Sequence, residues 1–228
     1  MSAVENPVVV AIDGTSASGK STNAKLVARA LGYVYIDTGA MYRTLAWHCL
    51  RKSVDVHDEK AVANLCRRWK TELVCIDNHV RLLVDGYFPE KEIRTAETSA
   101  AVPHVAAIPK VRDWMKKKQR ECVQFGNLVM EGRDIGTVVF PVADVKVYLD
   151  AAPDERARRR ANDPAHSGVP SAVSDVQSML SQRDEQDRTR TASPLYAAPD
   201  AIVVDTTGKN VDEVVREVMA VIDEKVKT

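Results

Sequence analysis

An α/β fold built on a parallel sheet is what this sequence predicts, and three observations carry the prediction. Five short apolar runs rich in β-branched residues hardly alternate, as strands buried on both faces do. Stretches with helical periodicity separate most of them, as crossover helices would. Each run is followed at once by an acid, and ligands of open α/β sheets sit at the carboxyl ends of the strands. The 228 residues suffice for one such domain with insertions, so residues 1–228 read as a single domain.

The runs are Val8–Ile12, Tyr33–Ile36, Leu128–Met130, Val145–Leu149 and Ala201–Val204, and the acids are Asp13, Asp37, Glu131, Asp150 and Asp205. About half of these acids are expected to cap the following helices, the others to face a ligand. Directly after the first run, residues 14–21 read GTSASGKS and match G-x-x-x-x-G-K-[ST] at every fixed position. A strand precedes the string. An amphipathic helix follows it, with Ala24, Val27, Ala28 and Leu31 on one face and Gly32 as its stop. Glycines in that setting let backbone N–H groups turn inward around phosphate oxygens, and the helix N-terminus adds its positive dipole end. The expected architecture is therefore the three-layer P-loop NTPase fold with a five-stranded parallel sheet. Its ATP-phosphate cradle is Gly14, Thr15, Ser16, Ala17, Ser18, Gly19, Lys20, Ser21 and Thr22. Lys20 supplies a cation for the β- and γ-phosphates, and the Ser21 hydroxyl suits Mg²⁺.

Between the second and third runs the pattern changes. Leu73–Ile76, Asp77–His79, Val80–Val84 and Asp85-Gly86 read as two antiparallel strands with a further turn. This is expected to be a small β insertion, about residues 65–98, outside the parallel core. Residues 161–174 are rich in Pro, Ser, Ala and Gly and read as a mobile loop. With the basic stretch before it, the loop makes a helical lid over about 154–173. The last helix is capped by Asn210 with Glu213 three residues on, and Val211, Val214, Val215, Val218 and Ile222 form its buried face.

Composition narrows the classes of partner. Lys+Arg and Asp+Glu are both 32, so the chain lacks the basic excess of a general nucleic-acid binder. Cys49, Cys66, Cys75 and Cys122 form no CxxC pair, which argues against a zinc site or a disulfide framework. No stretch reads as a signal or membrane-spanning segment. A cytoplasmic protein with no membrane or nucleic-acid partner is expected, with a monomer as the default.

Arginine separates the phosphate-handling classes. Transfer between two polyanions needs cations around the moving group, and guanidinium forks suit phosphate oxygens. Arginines stand beside turn residues or acids in DTGAMYR (Asp37–Arg43), EGRDIGT (Glu131–Thr137), ERARRR (Glu155–Arg160) and RDEQDRTR (Arg183–Arg190). In the last, Arg183, Asp187 and Arg190 share a helix face. The guanine motif of GTPases is absent, as is the Asp-Glu strand end of helicase-like ATPases. A P-loop kinase for a small acceptor is expected. A nucleotide-dependent switch that signals to a partner is the alternative from another class.

The motifs IDGTSASGKS, IDTGAMYR, EIRT, AAIPKVR, EGRDIGTVVFP, LDAAPDERARRR, RDEQDRTR and SPLYAAPDAIVVDTT stand in order along the chain. Together they resemble the bacterial cytidylate kinases, of the nucleoside-monophosphate kinase group. The mid-chain β insertion is also similar to that family's. The resemblance implies ATP-dependent, in-line phosphorylation of CMP and dCMP to CDP and dCDP, with Mg²⁺. It implies an acceptor-binding region over about 38–64. Within it, Thr38 stands where the family often has serine. By the same resemblance, Arg43, Arg133 and Arg190 hold the acceptor phosphate, Arg112 and Asp134 read the cytosine edge, and Arg183 and Asp187 contact the ribose. Arg159 and Arg160 close over the ATP phosphates. Lys20, Arg133, Arg159 and Arg190 are then the catalytic set. Pro103 departs from the pattern: close relatives carry there a serine that touches the base, and proline offers neither a hydroxyl nor an N–H. Other acceptors of P-loop kinases, such as UMP, AMP or shikimate, are the alternatives within the class.

Overall fold

A computed structural model describes residues 6–163 and 172–226. In chain order it comprises β1 (Val9–Gly14), α1 (Lys20–Leu31), β2 (Val34–Asp37), α2 (Thr38–Arg51), α3 (Glu59–Arg68), β3 (Thr71–Ile76) and β4 (His79–Val84). Then come α4 (Ala96–Ala107), α5 (Pro109–Glu121), β5 (Leu128–Gly132), β6 (Val145–Asp150), α6 (Pro153–Ala161), α7 (Val173–Thr189), β7 (Ile202–Asp205) and α8 (Val211–Val226). All five apolar runs are strands, and each strand takes in the acid that follows its run.

The two faces of the sheet explain why those runs do not alternate. Val9, Ala11, Val34, Ile36, Leu128 and Met130 pack on one side with α2, α4 and α5. Val10, Ile12, Tyr35, Val129, Val147 and Leu149 pack on the other with α1 and α8. Successive side chains of a strand point to opposite faces, so covering both faces makes every position apolar. Three layers result. Each fully buried Val, Leu or Ile contributes about 1.5–3 kcal/mol.

The sheet has seven strands in the order β3-β4-β2-β5-β1-β6-β7. Six of them run parallel to one another, and β3 is antiparallel to β4. The expected five-stranded parallel sheet is present, but the insertion is not separate from it. β4 joins β2 in parallel through Tyr35↔His79 and Ile36↔Val80. The reason is edge chemistry: β2 would otherwise present unpaired N–H and C=O groups, and the hairpin covers them. Asp77 and Asn78 make its two-residue turn at φ 52 and 57, as hairpin twist demands. Asp85 and Gly86 make the second turn, closed by a Val84↔Tyr87 bridge. The capping box on α8 is formed: Glu213 Oε2 accepts from Asn210 N at 2.7 Å and Asn210 Oδ1 from Glu213 N at 3.0 Å.

Near the sheet's carboxyl edge, α6 and α7 pack through Ala157, Val176 and Leu180, with Ala17 against them. Residues 164–171 of the Pro- and Ser-rich loop lie outside the described residues. No helix among the described residues is long and apolar enough to cross a membrane.

Candidate functional site

The loop after β1 is shaped to leave donors unused. A Cβ on Gly14 would sit 1.9 Å from the Leu149 carbonyl oxygen, so only glycine lets β1 run past β6 into the turn. Ala17 and Gly19 hold left-handed φ values of 60 and 90, which bend the backbone into a cradle. Gly19 caps α1 with no side-chain acceptor, and no acid stands in the first turn. The orphan N–H groups of that turn, which Ser, Thr or Asp would normally satisfy, remain for an anion. Lys20 is buried and donates to the Thr15 carbonyl and, at 3.3 Å, to the Ser18 hydroxyl. Burial, and next the Arg133 charge, push its pKa down to about 7.

Distant elements hold the loop in this shape. Thr15 Oγ1 donates to Asp150 at 2.7 Å, and Thr206 Oγ1 to the Ser18 carbonyl at 3.2 Å. Ser16 N–H donates to Asp184 Oδ1 at 3.0 Å, while Arg156 Nη1 donates to the Ser16 carbonyl at 3.2 Å and also to Asp184 Oδ2.

Across the cleft, three strand-end acids organise the opposite wall. Asp37 caps α2 by accepting from Ala40 N–H at 2.8 Å and pairs with Arg43 at 2.7 Å. Asp13 accepts from Ile135 and Gly136 N–H at 2.8 and 2.7 Å, which fixes the turn bearing Arg133 and Asp134; burial raises its pKa to about 6. Glu131 accepts from Tyr35 Oη at 2.7 Å, and Thr38 Oγ1 donates to its carbonyl at 2.7 Å. Burial, and next Asp37, raise the Glu131 pKa. Of the five strand-end acids Asp37 alone caps the helix that follows it, fewer than the expected half; Asp150 accepts from Ala151 N–H and Thr15 Oγ1, and Asp205 from Thr207.

The turn after β5 presents two functional side chains. Asp134 pairs with Arg112 of α5 at 2.5 Å, with side-chain exposures of only 8% and 5%. Arg112 Nη1 donates to the Ala106 carbonyl at 3.2 Å, and its guanidinium lies 5.5 Å from the centre of the Tyr42 ring. Arg133 Nε donates to Asp187 Oδ2 at 3.0 Å and its Nη2 to Ser16 Oγ at 3.0 Å, so it bridges α7 and the cradle. Arg190 Nη1 donates to Asp187 Oδ1 at 3.0 Å. Burial pushes the Asp187 carboxyl up, but Arg133, Arg190 and Arg183 outweigh it and hold its pKa below the ordinary value. Arg183, which shares a helix face with Asp187, lines the same wall; the donors to Asp187 are Arg133 and Arg190. Burial, and next Arg133, lower the Arg183 pKa to about 10.

These walls enclose one cleft of about 990 Å³. Ser16, Ala17, Gly19, Lys20, Ser21, Thr22, Thr38, Arg43, Arg112, Arg133, Asp134, Arg159, Arg160, Arg183, Asp187 and Arg190 all line it. Gly14, Thr15 and Ser18 do not, since they form the inside of the loop. Arg159 of α6 donates to Thr206 Oγ1 and O at 2.9 and 2.7 Å, beside Gly19. Arg43 Nε, Arg112 Nε, Arg160 Nε and Arg190 Nη2 are buried with no acceptor among the described residues. Buried cationic donors left unpaired are costly unless a ligand uses them. Around one cleft, they mark a site for anions. Pro103 and Ser99, one turn apart on α4, also line it, as do Tyr42 and Glu131. Glu131 was visible in the sequence only as a strand-end acid, and Tyr42 had no signal beyond its place in DTGAMYR.

The Cytidylate kinase family model matches residues 10–224. The cytidylate kinase of Anoxybacillus flavithermus is 43% identical over 224 residues, covering 98% of this chain and 100% of its own. That of Limosilactobacillus reuteri is 44% identical over 214 residues, covering 93% and 94%. Among solved structures, an uncharacterized protein from Eubacterium ventriosum superposes with a TM-score of 0.51 at 12% identity, covering 95% of this chain and 98% of its own. At that identity the likeness is one of fold.

Proposed function

The chain belongs to the cytidylate kinase family, and on that premise we propose that this cleft is where its reaction takes place. The activity is ATP-dependent phosphorylation of CMP and dCMP to CDP and dCDP. One observation carries the placement. An uncapped helix N-terminus with a buried lysine faces, across a single cleft, a set of arginines with unused donors.

The cradle of residues 14–22 takes the ATP phosphates on its backbone N–H groups. Lys20 turns from the Thr15 carbonyl to the β- and γ-phosphates, and phosphate charge restores its proton. Arg43 and Arg190 take the acceptor phosphate through their free donors, and Arg133 joins them by sharing the donors it now gives to Asp187, Gly132 and Ser16. Its own oxygen attacks in line, so no strong base is required. Arg133 already touches both sides and is placed to follow the moving charge. Arg159 and Arg160 reach the ATP phosphates from α6, while residues 164–171 of the lid expected over about 154–173 lie outside the described residues. The donor set fits Mg²⁺: Ser21, whose hydroxyl lies next to Glu131, would hold it, with ATP oxygens and water as its further partners. When bound with ATP, Mg²⁺ neutralises charge on the transferring group.

Specificity for the base follows from Arg112 and Asp134. Cytosine leads with an amine donor and continues with acceptors, so a carboxylate and a guanidinium match it. Uracil meets the carboxylate with an acceptor. Arg183 and Asp187 face the sugar, with the acceptor region of about 38–64 and helices α4 and α5 around them. This reading takes one chain acting in the cytoplasm on two small molecules. A coupled assay with ATP·Mg²⁺ and a panel of CMP, dCMP, UMP, AMP and shikimate tests it: turnover is expected to be fastest with the cytidine nucleotides. Equal or faster turnover with another acceptor would overturn the base assignment, and ATP hydrolysis unaffected by any acceptor would overturn the kinase reading.

A further inference from the structure

One charged pair stands where an apolar residue is expected. Val176, Leu180 and Asp184 fall at i, i+4 and i+8 on α7 and are its buried positions. The first two pack on Ala157 of α6, and Asp184 continues the same seam at 1% exposure. Its partner is Arg156, next to Ala157 and also buried. Buried ion pairs of this kind are often no better for stability than apolar side chains of the same volume. Their contacts therefore matter more than their burial. Both meet on Ser16: Asp184 Oδ1 accepts from its N–H at 3.0 Å, and Arg156 Nη1 donates to its carbonyl at 3.2 Å. The Ser16 hydroxyl accepts from Arg133 at 3.0 Å.

We propose that Asp184, braced by Arg156, is a positioning residue that fixes the Ser16 peptide of the phosphate cradle and ties it to the helix that receives the acceptor. The proposal rests on the reading that residues 14–22 hold the ATP phosphates. The geometry gives α7 two jobs on two faces. Arg183 and Asp187 line the acceptor wall, while Asp184, on the buried seam beside them, grips the donor loop. The N–H and the carbonyl of Ser16 are both held by side chains from outside the loop, so Asp184 and Arg156 together fix the backbone at Ser16 relative to α7. Displacements of about 1 Å in such a site can cost about 10²-fold in turnover.

The test uses two variants of the full chain. Asp184→Leu with Arg156→Met removes both charges and keeps the branched outline of one side chain and the unbranched stem of the other; Asp184→Asn keeps an acceptor for Ser16 N–H but deprives Arg156 of its counter-charge. Thermal midpoints, kcat with CMP, and calorimetric affinities for CMP and for ATP measured separately are the readouts. The double variant is expected to hold its thermal midpoint and to bind CMP alone within about twofold of wild type, yet to lose about 10²-fold in kcat and about tenfold in ATP affinity. Asp184→Asn is expected to lie between the two. Wild-type kcat and ATP affinity in the double variant would make the pair a packing feature and overturn the proposal. So would losses of CMP and ATP affinity in equal proportion. If the double variant does not fold, Asp184→Asn decides: its kcat must fall at least about tenfold with CMP affinity retained, and otherwise the proposal is wrong. Failure of the functional reading shows elsewhere, as wild-type protein that makes no CDP.

Discussion

Replacing Asp134 by asparagine separates recognition of the base from support of the fold. Asp134 and Arg112 form a pair at 2.5 Å, almost wholly removed from solvent. Deleting one partner of such a pair costs about 3–5 kcal/mol, because the other charge is left alone. Asparagine keeps the shape and can still accept from Arg112, so the loss should lie at or below the foot of that range. The effect on choice of base is of a different kind. Arg112 occupies Oδ2, and the cytosine amine would meet the other oxygen; a uracil carbonyl in the same place faces a carboxylate. A buried mismatch of that type costs about 1–3 kcal/mol, and an amide can rotate its nitrogen toward the carbonyl and relieve it. The ratio of kcat/KM for CMP over UMP is therefore expected to fall by roughly one to two decades, or about 1.4–2.7 kcal/mol. A coupled assay with both nucleotides at several concentrations measures it. If both substrates lose activity in equal proportion, Asp134 serves only to hold Arg112, and the assignment of base reading to it is refuted. Pro103 raises the stake, since it lines the same cleft and offers it neither a hydroxyl nor an N–H.

Asp187→Ala frees Arg133 and Arg190 from their shared carboxylate and removes the acceptor that the proposed site offers to the sugar; KM for CMP should rise with little change in KM for ATP, and equal rises in steady-state kinetics would make α7 a structural helix only. Lys20→Ala should lower kcat by on the order of 10²–10³ without unfolding the chain, judged by thermal denaturation and turnover of the same sample. Since the ligand-free Lys20 pKa is about 7 against an ordinary 10.5, the side chain is mostly neutral at pH 8 and charged at pH 6. ATP binding should therefore take up close to one proton per site at pH 8 and little at pH 6. Calorimetry in buffers of different ionisation enthalpy reads this directly, and Lys20→Met should abolish it.

The parts legible in the sequence were those written locally. GTSASGKS carries its own turn, and its strand and helix lie on either side within a few residues. Arg183, Asp187 and Arg190 share a helix face by spacing alone. What escaped were pairings between distant segments. Nothing near His79 says that β4 will lie beside β2, because that choice is made by an open edge 44 residues earlier at Tyr35. Asp184 looks in sequence like one more charge in RDEQDRTR, yet its partner is Arg156 and its target is Ser16, 168 residues away. Asp13 reads as a helix cap or ligand contact, whereas its carboxylate fixes the turn that carries Arg133 and Asp134. Patterns of spacing report which residues share a face, and they are silent on what that face meets.

The place of β1 in the sheet also sets the order in which the chain can be completed. It lies between β5 and β6, and its first partners, Val9 with Leu128, are 119 residues apart, the same separation as the bond from Val8 N–H to Asn127. At ribosomal rates of about 5–20 residues per second, the first strand is made roughly 6–24 s before the strand it must join. During that interval its apolar residues and the phosphate-binding turn have no sheet to rest on. Chains cut before Leu128 lack the strand that β1 pairs with on one side and the one it pairs with on the other, so they cannot assemble the sheet that carries the phosphate-binding turn, however complete their first hundred residues.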